Sequence, residues 1–308
     1  MGRVAFVFPG QGAQKVGMGK DAYDASPEAR AVFDEADGAL GEPLSRLCFD
    51  GPEEALQLTE NTQPAVLTTE IALLRALGEN ADVTAGHSLG EYAANVAAQT
   101  MSFADAVRLV RVRGQYMQQA VPVGVGAMAA IMGGDRQAIE RACAETPGRV
   151  SPVNYNCPGQ IVIAGEAAAV EAASKTISAL GAKAIPLKVS APFHSALMEP
   201  AEQKLSPHLA KTEMHAPTVP IYVNVDSVAV TTAEAARDAL MRQVSRPVRW
   251  EESVERMLAD GVTLFVEIGP GKVLSGLLAR IRKDAAKVSV QGPSDFDAAR
   301  AAIRAARG

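Results

Sequence analysis

Gly86-His87-Ser88-Leu89-Gly90 lies between a short strand-like run at 82–85 and an Ala-rich helical stretch at 91–99. G-x-S-x-G between a strand and a helix is a nucleophile elbow, which holds a serine on a sharp turn with its oxygen exposed. The flanking glycines let that turn form. The helix that starts at the serine directs free N–H groups and the positive end of its dipole toward the oxygen. Such a serine suits acyl transfer, where an oxyanion develops beside it.

The rest of the pattern is that of an α/β chain. RVAFVF at 3–8 reads as a strand buried on both faces of a parallel sheet. It runs into Pro9-Gly10-Gln11-Gly12, which lacks the third glycine of a dinucleotide fingerprint. A glycine-rich loop there can still bring a backbone N–H close to a reacting atom. Ser26-Pro27 starts one helix and Gly51-Pro52 another, and 63–77 is long and apolar-periodic. Further strands are expected at 219–225, 263–268 and 287–290, and the chain ends in an Ala/Arg-rich helix. Gly269-Pro270-Gly271-Lys272 fails the P-loop spacing and reads as a strand-to-helix turn.

Between these parts the texture changes. Strands at 127–132, 150–156, 160–164 and 183–189 alternate with helices at 135–145 and 167–180 in the order β-α-β-β-α-β, with Cys157-Pro158-Gly159 as the central turn. That order is a ferredoxin-like unit. The expected fold is an α/β-hydrolase-like large domain with a parallel sheet (1–123 and 191–308) and an inserted ferredoxin-like subdomain (124–190). A cleft between two domains is a favoured place for a ligand.

Two further features bear on chemistry. The helix at 103–120 has its apolar face through Phe103, Val107, Val110 and Met117, with Arg111 and Arg113 on opposite flanks; periodicity does not choose between them. His194 stands in a Pro-bounded irregular segment at the exit of the subdomain, where it can serve as the base for Ser88. His87 points away from its neighbour serine, and His208 and His215 lie in polar surroundings. No acid between Ser88 and His194 sits where an α/β-hydrolase places its third member, so a later acid or a carbonyl orients the imidazole.

Composition excludes several classes. With 48% hydrophobic and 21% charged residues the chain is globular rather than disordered. A net charge of −5 argues against general nucleic-acid binding. No apolar run approaches the ~18 residues of a membrane helix, and a strand starting at Arg3 leaves no room for a leader, so a cytoplasmic protein is expected. Cys48, Cys143 and Cys157 lack C-x-x-C spacing and read as reduced and buried; no metal site is expected.

Six blocks then resemble one family. FPGQGAQ at 8–14, GHSLGEY at 86–92, RLVRVRGQYMQ at 108–118, VNYNCPGQIVIAG at 153–165, PFHSALM at 192–198 and EIGPGKVL at 267–274 are similar, in order and nearly end to end, to malonyl-CoA:acyl carrier protein transacylases. These are stand-alone acyltransferases of type II fatty acid synthesis, related to the acyltransferase domains of polyketide synthases. The resemblance implies Ser88 as nucleophile, His194 as base and acid, and the N–H groups of Gln11 and Leu89 as oxyanion hole. It implies that Arg113, not Arg111, pairs with the free carboxylate of the substrate, and that the backbone carbonyl of Gln243 orients the histidine. Phe193 matches a bulky residue of malonyl-selective relatives. The implied reaction is ping-pong transfer from malonyl-CoA to a holo acyl carrier protein, with no metal or other cofactor and coenzyme A as the leaving thiol. A monomer is expected. The carrier is acidic, and Arg280, Arg282, Lys283, Lys287 and Lys188 form the candidate basic patch. The rival readings are a serine hydrolase or thioesterase, a discrete acyltransferase of polyketide synthesis, and a non-catalytic carrier-binding module.

Overall fold

The computed structural model describes residues 2–122, 124–187, 189 and 191–308. Its described strands are β1 (Arg3–Phe8), β2 (Val83–Gly86), β3 (Gly126–Met132), β4 (Val150–Cys157), β5 (Gln160–Glu166), β6 (Lys183–Pro186), β7 (Ile221–Tyr222), β8 (Ala229–Val230), β9 (Val262–Ile268) and β10 (Ala286–Val290). They form a six-stranded sheet in the order β10-β9-β1-β2-β7-β8 and a four-stranded sheet in the order β4-β5-β3-β6.

In the large sheet every pairing is parallel except β7 with β8. Strand β1 lies in the middle, which explains its apolar sequence on both faces. Alternate side chains feed two cores, as the two-residue period of a strand requires. Val4, Phe6 and Phe8 pack with the helices Thr59–Leu77 and Phe103–Gln119, while Ala5 and Val7 pack with Trp250, Val254, Leu274 and Leu278 on the opposite face.

The small sheet is antiparallel throughout, and its strand order is that of a ferredoxin-like unit. Ile131, Tyr155 and Ile163 face the helices Arg136–Glu145 and Ala167–Ala179; Met128, Val153 and Val162 face the large core. Strand β4 is stitched to the large unit. Tyr155 N–H donates to the Val248 carbonyl (2.9 Å) and Val248 N–H to the Val153 carbonyl (2.8 Å). Val123 and Ser190, beside the expected subdomain boundaries, lie outside the described residues, as do Lys188 and Met1.

Most elements fall within a residue or two of expectation, and the departures have local causes. The strand expected over 219–225 is reduced to β7, because Val223 N–H bonds the Val228 carbonyl (3.1 Å) and the chain folds back into β8, which carried no sequence signal. The strand expected over 183–189 is assigned over Lys183–Pro186; Leu187 N–H still donates to the Met128 carbonyl of β3 (2.9 Å), and Lys188 lies outside the described residues. The helix expected over 63–77 starts earlier, at Thr59, with Pro64 inside it. A proline at 64 cannot bond the Glu60 carbonyl; Arg111 Nη1 does so instead, at 2.8 Å.

The elbow needs its glycines for space. A Cβ on Gly86 would lie 1.9 Å from the Gly90 carbonyl carbon, and one on Gly90 would lie 2.1 Å from the Phe8 carbonyl oxygen. Backbone cannot yield as a side-chain end does. Gly90→Ala is therefore expected to destabilise the fold by about 1–3 kcal/mol, the usual cost of overpacking, and thermal unfolding measures it. An unchanged melting temperature would contradict this close packing of β1 on the elbow.

Candidate active site

Ser88 has φ 52°, in the left-handed region that side chains disfavour. Surrounding bonds hold it there. Ser88 N–H donates to Asn224 Oδ1 (2.7 Å), Asn224 Nδ2 donates to the Gly86 carbonyl (2.6 Å), and Gln243 Nε2 donates to the Ser88 carbonyl (2.9 Å). One asparagine thus spans the elbow from outside it. His87 turns away from Ser88 and its Nε2 lies 2.9 Å from Asn156 Oδ1, which ties the elbow to β4.

His194 is brought to the serine across 106 residues of sequence: its Nε2 is 2.6 Å from Ser88 Oγ. Its Nδ1 is 2.8 Å from the Gln243 carbonyl. A carbonyl only accepts, so Nδ1 carries the hydrogen and Nε2 presents its lone pair to the hydroxyl. Burial, reinforced by the Arg113 cation, pushes the imidazole down to about 3, so it is neutral at physiological pH. No carboxylate bonds this imidazole among the described residues; the nearby buried acid, Glu91, bonds Gln243 and Asn224 instead.

Arg113 and Arg111 part company here. Arg111 is directed to Glu42, Asn61 and the Glu60 carbonyl. Arg113 is 1% exposed and its fork ends at the serine: Nη1 donates to Gln63 Oε1 (2.7 Å), and Nη2 to Gln243 Oε1 (2.9 Å) and to Ser88 Oγ (3.3 Å). The Tyr92 ring lies 5.5 Å from the guanidinium. Among the described residues Arg113 has no carboxylate within ion-pair distance. It is a buried cation held by neutral oxygens, a costly arrangement that an incoming carboxylate would relieve.

These groups line one cavity of about 680 Å³ between the two sheets. Gln11, Ser88, Leu89, Arg113, Phe193 and His194 all reach it, with Met128 and Asn154 contributed by the small sheet. The N–H groups of Gln11 and Leu89 bond no protein acceptor among the described residues. The cavity thus holds a serine oxygen next to an acceptor nitrogen and a fixed cation. That arrangement can take up an acyl group carrying its own negative charge. The Gly269–Lys272 turn is excluded as a phosphate cradle, because the Glu267 carboxylate already bonds the Leu274 and Ser275 N–H groups of the following helix (2.9 and 2.8 Å). Among the described residues no group of three or more His, Cys, Asp or Glu could hold a metal ion, and no helix is long and apolar enough to cross a membrane.

A family model described as acyl transferase domain matches residues 5–293. The malonyl CoA-acyl carrier protein transacylase of Escherichia coli (strain K12) is 51% identical over 306 residues, covering 97% of this chain and 99% of that protein. The chain belongs to this transacylase family. The family's solved structures agree. An acyl carrier protein S-malonyltransferase from Vibrio cholerae superposes with a TM-score of 0.94 at 48% identity, covering 96% and 99% of the two chains. A malonyl-transacylase in complex with a type II PKS acyl-carrier protein superposes with a TM-score of 0.94 at 46% identity, covering 96% and 98%.

Three residues of the site escaped the sequence reading: Gln63, Glu91 and Asn224. Glu91 gave no signal of its own, since an acid in the first turn of a helix is ordinary placement against the dipole. Nothing near Asn224 in sequence points to a serine 136 positions away.

Proposed function

We propose that this protein transfers the malonyl group from malonyl-CoA to the phosphopantetheine thiol of an acyl carrier protein, supplying fatty acid synthesis. The observation that carries this reading is the shared position of Ser88 Oγ, 2.6 Å from His194 Nε2 and 3.3 Å from Arg113 Nη2. A hydroxyl between a base and a carboxylate receptor fits an acyl group with a free carboxylate. The names of the relatives point the same way.

In this reading malonyl-CoA enters with its carboxylate on the Arg113 fork. His194 Nε2 takes the Ser88 proton as Oγ attacks the thioester carbon. The N–H groups of Gln11 and Leu89 receive the oxyanion, each such donor being worth about 10²- to 10³-fold in rate. The intermediate collapses, the carbon–sulfur bond breaks, and His194 returns the proton to the departing coenzyme A sulfur. The malonyl-serine ester is then attacked by the carrier thiol, whose proton passes through His194 back to Ser88. Ester and thioester are close in energy, so the exchange needs no metal or nucleotide. Phe193, against the acyl pocket, limits branched groups. The reading includes a cytoplasmic monomer with the large and inserted domains set out above.

A second reading keeps the chemistry and changes the carrier. The 46% identical transacylase solved with a type II PKS carrier favours it. Competition between fatty acid and polyketide carriers, read as mass gain of each carrier from malonyl-CoA, decides between them. No gain on either would refute the transacylase reading.

The carrier surface is part of the same proposal. Arg282 and Lys283 are exposed at the end of the helix Val273–Ile281, whereas Arg280 is spent on the Pro158 and Gly159 carbonyls (3.4 Å each). Replacing Arg282 and Lys283 by alanine is expected to raise KM for an acidic carrier severalfold while a pantetheine fragment is used as before. Equal loss with both acceptors would remove this surface.

A further inference from the structure

The side chains of Glu91 and Gln243 have no task in the mechanism above, yet both are completely buried at its centre. Glu91 lies in the first turn of the helix Gly90–Ala97, next to the elbow. Its Oε2 accepts from the Asn224 N–H (2.8 Å) and from Gln243 Nε2 (3.0 Å); its Oε1 is buried with no partner. Gln243 Nε2 also donates to the Ser88 carbonyl (2.9 Å), while its Oε1 accepts from Arg113 Nη2 (2.9 Å).

An amide has the same shape in both of its flipped orientations, so its neighbours decide which end faces where. On one side of Gln243 stand two acceptors, the Glu91 carboxylate and the Ser88 carbonyl. On the other stands a guanidinium, which only donates. The flipped amide would set N–H against N–H and oxygen against two oxygens. Glu91 therefore fixes the Gln243 oxygen on Arg113. That bond, with the one from Gln63 Oε1 (2.7 Å), holds the fork while Arg113 Nε lies buried without a partner. Burial pushes the Glu91 carboxyl up to about 7, and whether or not Oε1 holds a proton, Oε2 accepts from the amide, so the orientation of Gln243 does not depend on that charge.

We infer, on the reading of the site as a malonyl transferase, that Glu91 and the Gln243 side chain are a positioning pair that sets the Arg113 fork for a carboxylated acyl group. They thereby contribute selectivity for malonyl over uncharged acyl donors. The pair acts through Arg113 and touches no substrate.

The test compares wild type, Glu91→Gln and Gln243→Leu, the last of which keeps the backbone carbonyl that His194 uses. Acylation of Ser88 is followed by intact mass with malonyl-CoA and with acetyl-CoA, and the reactivity of the serine is read separately with a fluorophosphonate. The expected result is a malonyl-to-acetyl ratio of kcat/KM lower by about 10- to 100-fold in each variant, the loss typical of one charge-assisted hydrogen bond. It should appear mainly as a higher KM for malonyl-CoA, with fluorophosphonate labelling within a few-fold of wild type in Glu91→Gln; Gln243→Leu also loses the bond to the Ser88 carbonyl and is read by the malonyl-to-acetyl ratio alone. If labelling and both acyl donors fall together in Glu91→Gln, or if the ratio is unchanged, the pair only supports the elbow and the inference is overturned. Wild type that labels with fluorophosphonate yet takes no malonyl group would defeat the functional reading itself, and this inference with it. Should Glu91→Gln fail to fold, Gln243→Leu alone decides.

Discussion

Arg113→Ala is expected to lower kcat/KM for malonyl-CoA by about 10²- to 10³-fold, as when a site built to bond a polar group loses its partner. Acetyl-CoA should lose little or gain, because the variant no longer has a buried cation that an acetyl group leaves unpaired. The preference between the two donors then shrinks or reverses. Arg113→Lys should recover little of the loss, since an ammonium cannot bond Gln63, Gln243 and a carboxylate from one planar fork. Steady-state kinetics with both donors measures all three outcomes. Unchanged malonyl selectivity in Arg113→Ala would mean that the carboxylate binds elsewhere in the cavity.

His194→Ala is expected to slow acylation of Ser88 by about 10²- to 10⁴-fold, the range of general-base catalysis. The pH dependence follows from the two causes that depress this imidazole, burial and the Arg113 cation. A base must be neutral to act, so rate is lost as pH falls through its pKa. With that pKa far below 6.5 in the free enzyme, kcat/KM should stay level as pH drops through the ordinary imidazole range. A bound malonyl carboxylate cancels the Arg113 charge, raises the imidazole pKa, and moves the acid limb of kcat to higher pH than that of kcat/KM. Pre-steady-state acylation from about pH 8 to about pH 5, which spans the ordinary imidazole range, would show the order of the two limbs. A kcat/KM limb at or above the ordinary imidazole value of about 6.5 would contradict the burial of His194 described here.

Local geometry was what the sequence expressed well. The elbow was legible because a tight strand-to-helix turn demands glycine at fixed offsets, and positions 86 and 90 are indeed closed to any Cβ. Strands β1 and β9 were legible because central parallel strands are apolar on both faces. The ferredoxin-like order could be read from alternating periods, and its four strands pair in the order that unit requires.

Long-range geometry was less well expressed. Helical periodicity put Arg111 and Arg113 on opposite flanks without ranking them. The rank comes from tertiary partners far off in sequence: Glu42, Asn61 and the Glu60 carbonyl for Arg111, and Gln63, Gln243 and Ser88 for Arg113. The family resemblance supplied Arg113 and the Gln243 carbonyl, and these two do meet Ser88 and His194 in space. It left out the side chains of Gln63, Glu91 and Asn224, whose partners are set by how loops far apart in the chain converge. Strand β7 was overextended because its residues are apolar well past the point where the chain turns back.

The most direct test of the central claim is the intact mass of the protein after mixing with malonyl-CoA, for wild type and Ser88→Ala, before and after adding holo carrier protein. The account predicts one malonyl group on wild type, none on Ser88→Ala, and its transfer to the carrier when the carrier is added. A malonyl adduct on Ser88→Ala, or one lost to water while the carrier stays unmodified, would contradict it.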